Sequence, residues 1–246
     1  ADSNFTGQMN RIADADSTSS TQLESSYPEA TKDPYTVLLL HFNEASGSTS
    51  IKDYASTTRV ITANGNASTT SATTQLGMGN SAAFDGVDSG ASSDFITIPD
   101  STDWDIMGSA TEDYTIDFWV RHVDHVGNET YIAQTEGDTN LNGWFFDHID
   151  GSGIRFWAQT SDVTVISMPY GGEITDTNWH HVALVKDADE YRIYKDGIQV
   201  SYLQDNSTDT YADVLRIGRQ RPVTTAGEFN GNLDEVRIIK GRALTI

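Results

Sequence analysis

The chain has 246 residues, 37% of them apolar, which is enough for one large β-sandwich with its own core. Asp and Glu number 36 against 15 Lys and Arg, a formal net charge of −21 that repels a phosphate backbone and argues against nucleic-acid partners. Cysteine is absent, which excludes disulfides, cysteine–zinc sites and thiol catalysis, and no apolar run approaches the roughly 20 residues of a membrane span. The acidity reads as solubility, or as carboxylates available to a hard cation such as Ca²⁺.

Residues 1–34 read as an extended arm or linker. Ser17-Thr18-Ser19-Ser20-Thr21 is low in complexity, and Pro28 and Pro34 bracket the approach to the first strand. The arm is either disordered or an assembly element lying along another copy of the chain, with Phe5, Met9 and Ile12 as its anchors.

From Tyr35 onward the periodicity is that of strands. Tyr114, Ile116, Phe118 and Val120 share one face of a strand, and Thr115, Asp117, Trp119 and Arg121 the other. Trp179 to Lys186 and Tyr191 to Lys195 are rich in β-branched, aromatic and aliphatic residues, and Asp196-Gly197 is a strong hairpin signal. Gly, Asn, Asp, Ser and Thr clusters separate short strands, with at most a turn near Trp104–Met107. The pattern predicts an all-β, antiparallel sandwich over 35–246.

The order of these pieces carries a resemblance. Asn178-Trp179-His180-His181-Val182-Ala183-Leu184 is followed by Tyr194-Lys195-Asp196-Gly197 and then by Leu215-Arg216-Ile217-Gly218. Gly231-Asn232-Leu233-Asp234-Glu235-Val236-Arg237-Ile238 and Arg242-Ala243-Leu244 close the series. Upstream, Val37–Glu44 is similar to a first strand, Ala82–Gly86 and Phe95–Pro99 to a following hairpin, and Tyr114–Val120 to a further strand. From Tyr35 to Leu244 the chain resembles the laminin-G-like domains of the concanavalin-A-like lectin/glucanase superfamily. The first half is also similar to modules of bacteriophage virion proteins. The resemblance implies a jelly-roll sandwich, and a binding module on a virion or cell surface more than an enzyme.

Glycoside hydrolysis needs two facing carboxylates. The nearest match to the Glu-x-Asp-x-x-Glu strand of the superfamily's enzymes is Glu136-Gly137-Asp138-Thr139-Asn140-Leu141, which lacks the third carboxylate. No nucleophile elbow accompanies His180 or His181, so no catalytic residue is expected. The resemblance also implies a calcium ion where the first strand and its loop meet the last strand. The matching residues are Asn43, Asp53 and Asp234, with the carbonyl of Gly47 completing the shell. The alternative is that Asp53 and Asp234 cap turns through Asx hydrogen bonds.

A glycan or cell-surface polysaccharide is the third possibility, since lectins stack aromatic rings on sugars and hold hydroxyls with polar side chains. On one strand Trp157 shares a face with Arg155 and Gln159. On another, Trp144 and His148 share a face with Phe146, while Trp119 lies beside Asp117 and Arg121, and Tyr170 sits in a Pro-Tyr-Gly-Gly loop. The alternative for each aromatic is burial in the core, a reading that weighs most on Trp144 and Phe146. The sequence therefore predicts a non-enzymatic, glycan-binding and calcium-dependent surface module, or else a structural subunit of a virion appendage or filament assembled through the arm.

Overall fold

The structure, a computed structural model, describes residues 33–75, 79–87, 93–137, 141–221 and 227–246. The chain divides into units 1–32 and 33–246, and the description below is of the second. Phe5, Met9 and Ile12 lie outside the described residues.

Fifteen strands make up the described unit. The first five are β1 (Thr36–Leu40), β2 (Thr62–Asn64), β3 (Ser68–Thr70), β4 (Ser81–Asp85) and β5 (Phe95–Ile98). Next come β6 (Tyr114–His122), β7 (Asn128–Glu136), β8 (Asn142–Ile149), β9 (Gly153–Thr160) and β10 (Val163–Ser167). The last are β11 (His180–Asp187), β12 (Glu190–Lys195), β13 (Ile198–Gln204), β14 (Leu215–Ile217) and β15 (Asn230–Lys240). A 3-10 turn at Thr102–Trp104 stands where the turn near Trp104 is expected, and no α-helix occurs among the described residues.

The strands form two antiparallel sheets, a jelly-roll sandwich. One runs β13-β12-β11-β6-β15-β4-β3, with β1 pairing alongside β15, and the other runs β10-β9-β8-β7-β14-β5-β2. The segments Ala82–Gly86 and Phe95–Pro99 do not form the expected hairpin. They supply β4 to the first sheet and β5 to the second, because each finds its partner elsewhere, β15 for one and β14 for the other. The β12–β13 hairpin follows expectation: Lys195 pairs with Ile198, and Asp196 and Gly197 both have positive φ, 52° and 77°. Two positive φ values in a two-residue loop match the right-handed twist of the flanking strands. The first strand ends at Leu40, earlier than expected, because Phe42 adopts a left-handed φ of 52° and turns the chain out of the sheet.

The core lies between the sheets. Tyr114, Ile116, Phe118 and Val120 of β6, with Val182 and Leu184 of β11, face Ile132, Trp144, Phe146 and Phe156 of the second sheet, all almost completely buried. Phe118 bridges the layers, with ring centroids 5.1 Å from Tyr131 and 5.6 Å from Phe146. Close packing extends to the backbone: a Cβ on Gly143 of β8 would collide with the Gln134 carbonyl oxygen of β7, so this strand position admits only glycine.

Trp144 and His148, candidates for ligand contact, are corrected to the interior. Trp144 is 1% exposed, and its indole N–H donates to the Trp104 carbonyl at 3.0 Å and to Gln134 Oε1 at 3.2 Å. His148 is fully buried. Both point inward because β8 pairs with β7 in the register that sets Trp144 beside Gln134 and Phe146 beside Ile132. Trp144→Ala is expected to lower the unfolding free energy by about 3–5 kcal/mol, the usual cost of a large core truncation. Urea denaturation measures this, and an unchanged midpoint would place Trp144 outside the core.

Candidate functional site

Alternation along β6 puts Asp117 and Trp119 on the solvent face of the first sheet. Their cross-strand neighbours complete a cleft. Trp119 pairs with His181 on β11 and with Asp234 on β15, and Asp117 pairs with Arg237 on β15, which in turn pairs with Leu39 on β1. Leu39, Asp117, Trp119, His181, Glu235 and Arg237 line a cavity of about 380 Å³. A bulge between Asp234 and Arg237 gives β15 its extra residue there. Glu235 takes φ 50°, a strained value for a residue with a Cβ, and this turn brings its carboxylate to the cleft wall.

The polar groups are held in place. Arg237 Nε and Nη2 donate to the two Asp117 oxygens at 2.8 and 2.7 Å, a bidentate pair of defined orientation. His181 Nε2 lies 3.3 Å from Asp117 Oδ2, and its ring sits 5.3 Å from that of Trp119. Burial alone would raise the Asp117 carboxyl, but hydrogen bonds from His181 and Arg237 and the guanidinium charge outweigh it and hold Asp117 below the usual carboxylate range. At the rim, His41 Nδ1 is 2.7 Å from Glu235 Oε2, and this hydrogen bond raises the His41 pKa above its ordinary value. Trp119 is half-buried, so part of its ring remains open to the cleft.

Three of the sequence candidates meet on the opposite face, the outer face of the second sheet. Arg155 donates to Asp147 at 3.0 and 3.1 Å and to the Tyr170 hydroxyl at 2.7 Å. Its guanidinium carbon lies 4.8 Å from the Trp157 ring and 5.2 Å from the Tyr170 ring. Trp157 stacks on Phe145 at 5.3 Å, above a small satellite cluster with Ala133 and Leu141. Gln159 follows Trp157 on the same face, half-buried. This ridge satisfies itself: the arginine is engaged on three acceptors and the indole is flanked by Phe145 and Arg155. It is a weaker receptor than the cleft, where a concave surface and unused polar atoms coincide.

The side-chain oxygens of Asp53, Asn43 and Asp234 accept from different partners. Asp53 is buried, and its carboxylate accepts backbone N–H groups from Leu39 at 3.1 Å, Ala55 at 2.9 Å and Arg59 at 3.0 Å, which makes it the cap of the loop after β1. Asn43 Oδ1 accepts from Asn80 N at 3.1 Å, and Gly47 donates its N–H to the Thr69 carbonyl at 2.7 Å. Asp234 lies inside β15, not at the start of the last strand, and accepts from Glu235 N at 2.9 Å. Three backbone N–H groups on one carboxylate are the Asx turn capping of the alternative reading for Asp53.

Sequence reasoning missed a buried polar cluster. His122 of β6, Glu129 of β7 and His148 of β8 bring one potential ligand atom each within 4.8 Å of the others. His122 Nδ1 is 2.6 Å from Glu129 Oε2, and its Nε2 is 2.8 Å from the Tyr131 hydroxyl. The Ile174 N–H donates to His148 Nε2 at 3.2 Å, which places the ring proton on Nδ1, an atom without a hydrogen-bond partner. With one nitrogen accepting and the other protonated, His148 has no lone pair for a metal. Burial pushes both histidines below and Glu129 above their ordinary pKa values, so the neutral forms sit together. The cluster is a polar bridge between the sheets. No local signal marks it, since its members lie on three strands that only pairing brings together.

Beneath Trp119, burial first and then the Glu235 charge raise the Asp234 carboxyl to about 7. Its folded pKa exceeds the unfolded one, so its stabilising contribution is complete below about 4 and is lost as pH rises through about 7. Asp234→Asn, which mimics the protonated acid, is expected to raise the melting temperature at pH 8 and to flatten its fall between pH 4 and 8. Calorimetry across that range checks this, and parallel wild-type and variant profiles would contradict it.

A family model described as the concanavalin A-like lectin/glucanases superfamily matches residues 88–245. No curated protein matches the chain. Among solved structures, the binding domain of botulinum neurotoxin DC in complex with SialylT is similar at 14% identity and a TM-score of 0.60, over 85% of this chain and 48% of that one. The same domain in complex with rat synaptotagmin II aligns at 13% identity and a TM-score of 0.62, over 85% and 49%. The binding domain of Paraclostridial Mosquitocidal Protein 1 gives 13%, 0.62, 85% and 49%. The chain thus spans about half the length of these structures, and at such identity the likeness is one of fold.

Proposed function

The chain belongs to the concanavalin A-like lectin/glucanases superfamily, and from that premise we propose that it is a non-enzymatic surface recognition module that binds a glycan in the Trp119 cleft. The observation that carries the reading is the cleft itself. It joins an open indole to Arg237, Asp117, His181 and Glu235 within a cavity large enough for a small ligand. The indole offers an apolar face for sugar C–H groups, and the charged side chains offer donors and acceptors for hydroxyls. Because cross-strand pairing and the Asp117–Arg237 fork already fix these groups, little side-chain order is lost on binding.

The structural neighbours support the reading without identifying the ligand. They are binding domains of toxins, one in complex with SialylT, and a further one is described by the interaction of its toxin with two ganglioside molecules. A module that recognises glycans on a target surface belongs on a secreted or surface-displayed protein, and the virion surface is one such place. No helix among the described residues is long and apolar enough to cross a membrane.

Trp119→Ala is expected to weaken glycan binding at least tenfold, about 1.4 kcal/mol or more, as truncation of an aromatic anchor does. Trp157→Ala on the opposite face is expected to bind as the wild type does. A glycan array finds the ligand and titration calorimetry measures both variants. Undiminished binding by Trp119→Ala would remove the cleft from the proposal.

A further inference from the structure

The charge arrangement of the cleft defines the class of its ligand more narrowly, and this step rests on the glycan reading above. We propose that the cleft accepts an uncharged sugar residue, a hexose or N-acetylhexosamine, and rejects sugars bearing a carboxylate or sulfate.

Arg237 is the residue that would attract an anionic sugar, and its charge is already matched. Nε and Nη2 are both held by Asp117 at 2.8 and 2.7 Å, and Asp117 is 5% exposed. What remains for a ligand is the two N–H donors of Nη1 and the second of Nη2, on a group whose charge is compensated by the carboxylate beside it. On the other wall, Glu235 uses Oε2 for His41 at 2.7 Å, while its side chain stays 41% exposed. Its Oε1 is an acceptor with no hydrogen-bond partner among the described residues, on a side chain that lines the cleft.

The lining therefore holds two carboxylates, Asp117 and Glu235, against one guanidinium, with His181 and His41 beside them. A carboxylate or sulfate entering beside Trp119 would approach Asp117 and Glu235 with no unmatched cation to receive it, since Arg237 is held by Asp117 and His41 by Glu235, and like charges placed together at a recognition surface oppose binding. The formal net charge of −21 adds a long-range field of the same sign. A neutral sugar meets no such barrier. One hydroxyl can accept from Arg237 Nη1, another can donate to Glu235 Oε1, and the C–H face can lie on Trp119. The pairing of an unused donor with an unused acceptor suits a polyol, whose hydroxyls do both.

The test uses the full chain and matched glycans that differ only in a terminal charge, for example a galactose-terminated oligosaccharide and its sialylated and sulfated forms. The expected result is at least tenfold tighter binding of the neutral form, with a gap that narrows as salt is raised and the field is screened. Asp117→Asn keeps the side-chain shape but leaves the Arg237 charge unmatched, so it should narrow the preference about tenfold or reverse it. Glu235→Gln removes the exposed carboxylate without touching the buried pair and should shift the preference the same way, which serves if Asp117→Asn fails to fold. Binding of the charged forms as tightly as the neutral one overturns this inference and leaves the glycan reading standing. A preference that neither folded variant moves overturns the assignment to Asp117 and Glu235. No binding of any member overturns the glycan reading itself.

Discussion

Burial of Tyr114, Ile116, Phe118 and Val120 along one face of β6 governs the placement of everything functional in this fold. A strand alternates its side chains with period two, so committing those four residues to the inter-sheet core commits Asp117 and Trp119 to the outer face of the sheet. A slip of one residue would bury an aspartate and an indole while exposing two aromatic rings and two aliphatic side chains. The Phe118 contacts with Tyr131 and Phe146 in the facing sheet are what such a slip would break. The cleft is thus fixed by hydrophobic packing beneath it and does not depend on its own polar contacts for its position.

Those polar contacts set its chemistry instead. Asp117 is the hub, since it orients Arg237 by a bidentate fork and faces His181 across the strand pair. A nearly buried carboxylate in the middle of a sheet is tolerable only because a cation and hydrogen bonds come with it. The bulge in β15 supplies the remaining wall. Without the extra residue, Glu235 would follow the regular pleat; with it, the backbone enters the left-handed region and the side chain turns to the cleft rim. A strained backbone at a non-glycine residue, next to the only indole in the cleft, is where a rigid sheet acquires a shaped surface.

The sequence disclosed the strand faces more readily than their partners. The alternation of β6 and the Asp196-Gly197 hairpin are local patterns, and the structure follows both. The two faces of β8 were not separable in the same way. Trp144, Phe146 and His148 alternate with Gly143, Phe145 and Asp147, so both faces carry aromatics, and only pairing with β7 decides that Trp144 enters the core. Arg237 could not be tied to Asp117, 120 positions away, because that contact exists only through the β6–β15 register. Asp53 shows another limit. A ligand carboxylate and a loop-capping carboxylate look alike in a sequence, and the three backbone N–H groups that converge on Asp53 appear only when its loop closes.

Burial decides how the acids of both sheets are accommodated. Three buried acids lie against an arginine, Asp117 with Arg237, Asp147 with Arg155 and Glu228 with Arg219, whereas Asp53 is held by backbone N–H groups and burial raises the pKa of Glu129 and Asp234. With 15 Lys and Arg for 36 acids, that allocation leaves most of the surface acids without a cation of their own. Desolvation explains the preference, since an unpaired buried charge costs far more than an unpaired exposed one. The surplus negative charge is therefore carried by the solvated surface, where water and salt screen it. The pairing that stabilises the sandwich interior thereby shapes selectivity at its surface: the arginine of the cleft is held by the buried acid beside it, and the more exposed carboxylate, Glu235, is held by His41, so an approaching ligand meets no cation without an acidic partner.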